Sequence, residues 1–369
     1  MTDNLISSAK KIPAVPLSAA EDYIAKKDLL VGDVNQALTE HPDLQLLIGN
    51  NPLPVLYDNH DNHALFMSNV FKLNDFAFMA RVIFWVYRTY YQHGFSFDYF
   101  PVALKAWVKA IEKHLEYNNA RALINIYQWI IDNHEEIIQA SENVTEPPFY
   151  MNPGWKGLKE SFQASLLAGN HRESLKIANE AVHKAEDLAD FYLQVIQPSM
   201  YAIGTLWEKG NISVAQEHLA SAIVTRVMAS LYPRFILLEQ TRGKSIVTAA
   251  PNEFHEIGPR MVADLLEING WNVDYIGANV PAKDILDLVL KKNPFFLAIS
   301  VGMPFNIESA RDIIDTLKNN PSTRETKIML GGHCLIENPQ LKEKLGVDGY
   351  GSFAKDAVAV ANEWWANNA

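Results

Sequence analysis

From residue 244 to the C-terminus, short apolar runs alternate with amphipathic stretches of helical length, and few architectures satisfy that alternation. The runs are SIVTAA at 245–250, NVDYIG at 272–277, FFLAISVG at 295–302, KIMLGG at 327–332 and a short DGYGS at 348–352. Between them, helical spacing of apolar residues is expected near 258–269, 281–292, 306–319 and 337–345, with a last helix at 354–366. Strands separated by crossover helices predict a Rossmann-like, doubly wound parallel sheet. Ligands of such sheets bind beyond the C-terminal strand ends, near the point where the strand order reverses. The loop after the first run, PNEFHEIG at 251–258, therefore falls where a ligand is expected.

Upstream the pattern is helical. Four segments, 154–168, 171–186, 188–208 and 213–239, are joined by short linkers such as AGNH and EKGN, which suits antiparallel neighbours in a four-helix bundle. Pro198 lies inside the third segment and is expected to bend it. Residues 1–150 also read as helices, with one-sided apolar periodicity in NDFAFMARVIFWVYRTYYQHG, FPVALKAWVKAIEKHLEYN and ARALINIYQWIIDNHEEII. The proline-rich stretch SENVTEPPFYMNPGW marks a boundary. Three domains are expected: an all-helical one at 1–150, the bundle at 151–242 and the sheet at 243–369.

The formal net charge of −11 disfavours direct duplex-DNA binding, which needs a local excess of Lys and Arg. The single cysteine, Cys334, excludes an intramolecular disulfide framework and fits a reducing cytoplasm. No apolar run has signal-peptide or membrane-spanning length, so a soluble cytoplasmic protein is expected.

Two constellations carry chemistry. In the first loop, Glu253, His255 and Gly258 form E-x-H-x-x-G. Either this is a solvated loop in which Glu253 or Asn252 caps the next helix, or His255 is a metal ligand. In the second case the neighbouring carboxylate sets its tautomer and basicity. In the bundle, Trp207 is followed after nine residues by Glu217 and His218. They are either a packed tryptophan with a surface Glu-His pair, or an aromatic plate and two polar groups converging on a flat ligand. A third group, Asp58, His60, Asp61 and His63 in YDNHDNHALF, invites a metal, but Asp and Asn also cap helices, and a helix start is the favoured reading. His93 is expected at a helix C-terminus before Gly94.

Found together in this order, the W-x9-E-H and E-x-H-x-x-G motifs resemble the adenosylcobalamin-binding light sensors of the CarH type. More broadly, they resemble the cobalamin domains of methionine synthase and corrinoid methyl carriers. The likeness covers residues 155–369. It implies that His255 is the lower axial cobalt ligand, replacing the cofactor's own base, with Glu253 as its hydrogen-bonding support. Glu253 stands where the commoner motif has Asp. Gly258 would let the corrin and its displaced tail pass. Ser300, Gly331 and Gly332, in SVG and LGG, match the strand ends lining the slot for the nucleotide tail, with Gly349 and Tyr350 beside the buried base. His333 and Cys334 depart from the small residue usual after the double glycine. Trp207, Glu217 and His218 would cover the upper face and shield a 5′-deoxyadenosyl group. After photolysis of the cobalt–carbon bond, His218 would become the upper ligand. The resemblance thus implies a non-enzymatic light sensor that changes conformation or assembly, is homo-oligomeric and acts on a signalling partner. The alternative is a corrinoid methyl carrier serving a methyltransferase, or a haem or bilin sensor on the same fold.

The N-terminal block lacks the helix-turn-helix domain of CarH-type repressors. It is expected to be a sensory or dimerisation domain, with a globin-like fold among the possibilities. Some relatives pair cobalamin with a bilin, the photocobilin-like branch, which implies a second tetrapyrrole such as biliverdin; the favoured alternative is that the aromatics form a helical core or a dimer surface. With no cysteine before position 334, any bilin in this domain would be non-covalent.

Overall fold

The computed structural model describes residues 2–142, 152–235, 239–336, 338 and 341–368. The chain divides into two compact units, Met1–Pro147 and Pro148–Ala369. Most of the boundary stretch at 141–155 lies outside the described residues.

Among its described residues the first unit is entirely helical: α1 Thr2–Ala9, α2 Leu17–Ala25, α3 Lys27–Thr39, α4 Leu44–Ile48, α5 Leu53–Leu73, α6 Phe76–Gln92, α7 Tyr99–His114, α8 Tyr117–Asp132 and α9 His134–Glu142. Helix α5 begins directly after Pro52, so the Asp-His cluster lies inside it and caps nothing, contrary to the favoured sequence reading. At i, i+3 spacing, Asp58 and Asp61 share an exposed face while His60 and His63 turn into the core. No group of three or more potential metal ligands occurs among the described residues. His93 does close α6, followed by Gly94 at φ +92°. The core is aromatic, with Trp107 and Tyr127 fully buried beside His63.

In the second unit the bundle comprises α10 Lys156–Leu167, α11 His171–Ala181, α12 Ala185–Phe191, α13 Gln197–Glu208 and α14 Val214–Leu231. The second segment ends earlier than its periodicity suggests. Asp187 accepts from the backbone N–H of His183 (3.0 Å) and Lys184 (3.1 Å), so a new helix is capped there. Helices α12 and α13 are continuous through one wide π turn, Tyr192–Ile196. Pro198 has no N–H to donate, and its ring would clash with the carbonyl four residues back; widening the preceding turn accommodates both. Helix α14 stops at Leu231 rather than 239, passing into a 3-10 turn at Tyr232–Arg234 around Pro233. Residues 236–238 of that expected helix lie outside the described residues.

The sheet is wholly parallel and ordered β2-β1-β3-β4-β5: β1 Lys244–Ala249, β2 Asn272–Tyr275, β3 Phe296–Ser300, β4 Lys327–Gly331 and β5 Gly349–Gly351. Its helices are α15 Ile257–Ile268, α16 Ala282–Lys292, α17 Ile307–Asn319, α18 His333–Ile336, α19 Leu341–Leu345 and α20 Ala354–Ala366. The helix expected at 337–345 is thus represented by α19, and residues 337, 339 and 340 lie outside the described residues. The Rossmann-like architecture follows from buried, nearly continuous apolar strands with helices on both sides. One apolar core runs from bundle residues such as Phe191 and Val224 to Leu266, Trp271 and Phe296 under the sheet. The order reverses between β1 and β3, so the loops after these two strands open side by side.

Candidate functional site

The two loops at the switch point build the site around one carboxylate. Glu253 is 1% exposed and belongs to the loop after β1. Its Oε1 accepts from the backbone N–H of Phe254 (3.1 Å) and of His255 (3.2 Å), and also bonds Nδ1 of His255. Its Oε2 accepts from the backbone N–H of Gly302 (2.8 Å) and Met303 (2.9 Å) and from Nδ2 of Asn306 (3.1 Å), all in the loop after β3. Burial alone would raise this carboxyl, but the bonds and charge of His255, with Asn306 and the Met303 amide, outweigh it and hold it well below the usual carboxylate range. The same hydrogen bond raises His255 against its own desolvation, helped by the charges of Glu253 and Glu217.

Nδ1 of His255 is therefore occupied by Glu253, and Nε2 is left as the nitrogen for a ligand. The His255 side chain is 68% exposed although its support is buried. A carboxylate that orients one ring nitrogen and increases the donor strength of the other is the usual second partner of a metal-bound histidine. Glu253 does not cap α15, whose N-cap is Glu256 without a side-chain cap, so the capped-loop alternative is set aside. Gly302 keeps the arrangement uncrowded: a Cβ there would lie 3.1 Å from Glu253 Oε2 and 3.2 Å from His255 Nδ1, so the pair would have to give way slightly.

Beside this loop the structure leaves room. A Cβ on Gly258, in the first turn of α15, would meet nothing within 4 Å. At the strand ends, Ser300 pairs with Ala249 and Gly331, and Gly331 pairs with Gly351, which sets these positions in one row along the C-terminal edge. Gly332, at φ +106°, presses on the Val301 backbone, where a Cβ would come within 2.3 Å of the carbonyl oxygen. Gly349 instead makes room for Trp364 of α20, whose ring a Cβ would meet at 2.4 Å. The Tyr350 hydroxyl is buried and makes no hydrogen bond of normal geometry, with Ser352 beside it.

From the bundle, half-buried Trp207 comes at the end of α13, and Glu217 and His218 lie at the start of α14. Ser213 and Gln216 cap that start reciprocally. Glu217 accepts from Ser221 (2.8 Å) and lies 3.7 Å from His218, whose side chain is 74% exposed. The charge of Glu217 contributes, as the smallest of the causes, to raising His255. A histidine with its carboxylate support, open space beside Gly258 and strand ends carrying Gly331 and Gly332 fit a large corrin with a polar tail.

The donors to Glu253 from Gly302, Met303 and Asn306 were not legible in the sequence. Only the adjacency of the β1 and β3 loops reveals them.

Residues 158–232 match a family model described as B12 binding domain, and residues 243–359 match a second with the same description. Together they take in the bundle and the sheet, and they support a cobalamin-binding family for this part of the chain. Dimethylamine corrinoid protein 2 of Methanosarcina acetivorans is 26% identical over 188 residues, 50% of this chain and 86% of that protein. The HTH-type transcriptional repressor CarH of Myxococcus xanthus is 28% identical over 189 residues, 51% of this chain and 62% of that protein. The solved monomethylamine corrinoid protein of Methanosarcina barkeri aligns with 57% of this chain and 99% of its own, at TM-score 0.51 and 21% identity, a likeness of fold.

Proposed function

We propose that the second unit holds adenosylcobalamin with His255 as the lower cobalt ligand and acts as a light sensor. The observation that carries this reading is the fully donor-saturated Glu253 carboxylate, which holds His255 outward at the switch point of the sheet. When bound, the cofactor would supply a cobalt–carbon bond that green light breaks. The protein supplies ligation through His255, a cap through Trp207 and Glu217, and an exposed His218 free to turn toward the upper face. Ser300, Gly331, Gly332 and Tyr350 edge the slot assigned to the nucleotide tail, while Gly349, expected there too, is packed against Trp364. The readout is a movement of the bundle against the sheet or a change of assembly, passed to a signalling partner without catalytic turnover.

Absorption spectra of the protein loaded with adenosylcobalamin, before and after green illumination, test the reading. A light-dependent change is expected, and an unaltered spectrum would remove the sensor. The corrinoid proteins among the relatives favour a second reading, a methyl carrier. Methylcobalamin-loaded protein would then donate its methyl group when a methyltransferase and acceptor are supplied.

We assign the first unit, as a further part of this proposal, to a non-covalently held bilin such as biliverdin. Its cavity of ≈ 60 Å³, lined by His60, His63, Tyr87, Tyr99 and Trp107, supports a site there. That volume is far below a tetrapyrrole's, so entry requires these side chains to part. Spectra recorded with biliverdin supplied provide the test.

A further inference from the structure

Of His333 and Cys334, which depart from the expected small residue after the double glycine, the structure places His333 against the bundle. His333 begins α18 immediately beyond β4, and its ring lies 5.4 Å from that of Tyr201, centroid to centroid, tilted by 58°. Tyr201 belongs to α13, the helix that also carries Trp207. Its ring is oriented from within that helix, because Gln197 Nε2 donates to its hydroxyl at 3.1 Å. Tyr350 is the strand neighbour of Leu330 on β4, the strand that leads into His333 and buried Cys334. Tyr201 thus meets His333 at the end of β4, beside the strand that carries Tyr350.

We propose that Tyr201 and His333 form a clasp between cap and sheet that closes over the nucleotide tail of the corrinoid, so that this protein selects corrinoids carrying a complete tail. The inference rests on the cobalamin reading above. Two features support it. The pair joins the cap helix to the segment leaving Gly331-Gly332. The tail offers ribose and phosphate oxygens beside the buried Tyr350 hydroxyl, which has Ser352 next to it within the sheet edge. The cap then has two tasks: Trp207 at the end of α13 covers the upper face, and Tyr201, one and a half turns earlier, secures the tail.

The test measures dissociation constants of hydroxocobalamin and of cobinamide, which has the corrin but no nucleotide, by absorbance titration of the full-length apoprotein. Tyr201→Ala and His333→Ala are each expected to weaken hydroxocobalamin by about tenfold and to leave cobinamide within twofold, with the double variant no worse than either single one. Tyr201→Phe, which keeps the ring, should match the wild type. Retained cobinamide binding shows that each variant is folded. Equal weakening of both corrinoids, no weakening of either, or additive losses in the double variant would each overturn the clasp. Failure of the wild type to bind either corrinoid would instead overturn the cobalamin reading.

Discussion

Glu253 and His255 form a buried-to-exposed pair in which the carboxylate is fixed first and the imidazole second. Glu253 takes three donors from the loop after β3, and only its other oxygen serves Nδ1 of His255. Replacing the carboxylate by an amide introduces N–H where an acceptor is needed. Glu253→Gln is therefore expected to weaken corrinoid binding by about 10- to 100-fold, the usual cost of removing such a partner. His255→Ala should also abolish the spectral signature of histidine ligation. Titration of apoprotein with hydroxocobalamin measures both; wild-type affinity and spectrum in His255→Ala would refute the ligand assignment.

Two glycines in this region should behave oppositely. At Gly302 an added methyl lies 3.1 Å from Glu253 Oε2, so Gly302→Ala should displace the Glu253–His255 pair and weaken corrinoid binding. At Gly258 the methyl meets open space, and in a helix Ala is favoured over Gly by up to about 1 kcal/mol. Gly258→Ala should thus leave the apoprotein as stable or slightly more so, while weakening corrinoid binding because the space is filled. Melting temperatures of apoprotein, paired with corrinoid titrations, separate the two effects.

A pH dependence follows from the seam between bundle and sheet. The Tyr192 hydroxyl, in the π turn, donates to Asp264 Oδ2 of α15 at 2.6 Å. Burial raises the Asp264 carboxyl, partly opposed by the Tyr192 bond; Glu267 raises it further and Arg260 lowers it, leaving it at about 7. The unfolded chain releases this proton near 4, so between pH 4 and 7 the folded state binds more protons. Stability from this group is therefore greatest at acid pH and declines as pH rises toward 7. A shift of this size corresponds to a few kcal/mol at most, on the order of 4. Asp264→Asn keeps an acceptor for Tyr192 and removes the titration. Relative to wild type, its melting temperature should rise by several degrees between pH 4.5 and 7.5 in calorimetry; a constant difference would contradict the assignment.

His218 is exposed and outside the Glu253–His255 pair. Under the light-sensor reading, His218→Ala should bind adenosylcobalamin as the wild type does and differ only in the spectrum after illumination. Identical spectra after light in variant and wild type would remove His218 from the upper site.

In the first unit His60 is bonded through both nitrogens, to Asn35 Oδ1 at 2.5 Å and to the Tyr99 hydroxyl at 3.0 Å. Burial pulls it down to about 4, so it is neutral at pH 7. His60→Ala leaves Asn35 and buried Tyr99 without this partner and opens a cavity. A loss of about 1–3 kcal/mol is expected from the unsatisfied groups alone, measurable by urea denaturation.

Much of this was legible in the residue order. The five strands, their parallel pairing and the placement of His255 beyond the first strand follow from apolar runs of strand length separated by amphipathic helices. The Asp-His cluster misled for a local reason: Pro52 starts α5 about one and a half turns earlier than the first Asp, which places Asp58 inside the helix. Likewise Asp187 ended one predicted helix and began another with a side-chain cap that hydrophobic spacing does not register.

The sequence by itself determined which residues could ligate, and that a loop carrying them lies at the C-terminal end of a parallel sheet. Periodicity and chain direction suffice for that. Only the tertiary structure decided what holds them. Gly302 reaches Glu253 across 49 residues, Tyr192 reaches Asp264 across 72, and Tyr201 meets His333 from a different layer. Such pairs depend on which strands lie adjacent and on where a π turn aims a helix face. No local pattern in the chain encodes that distance.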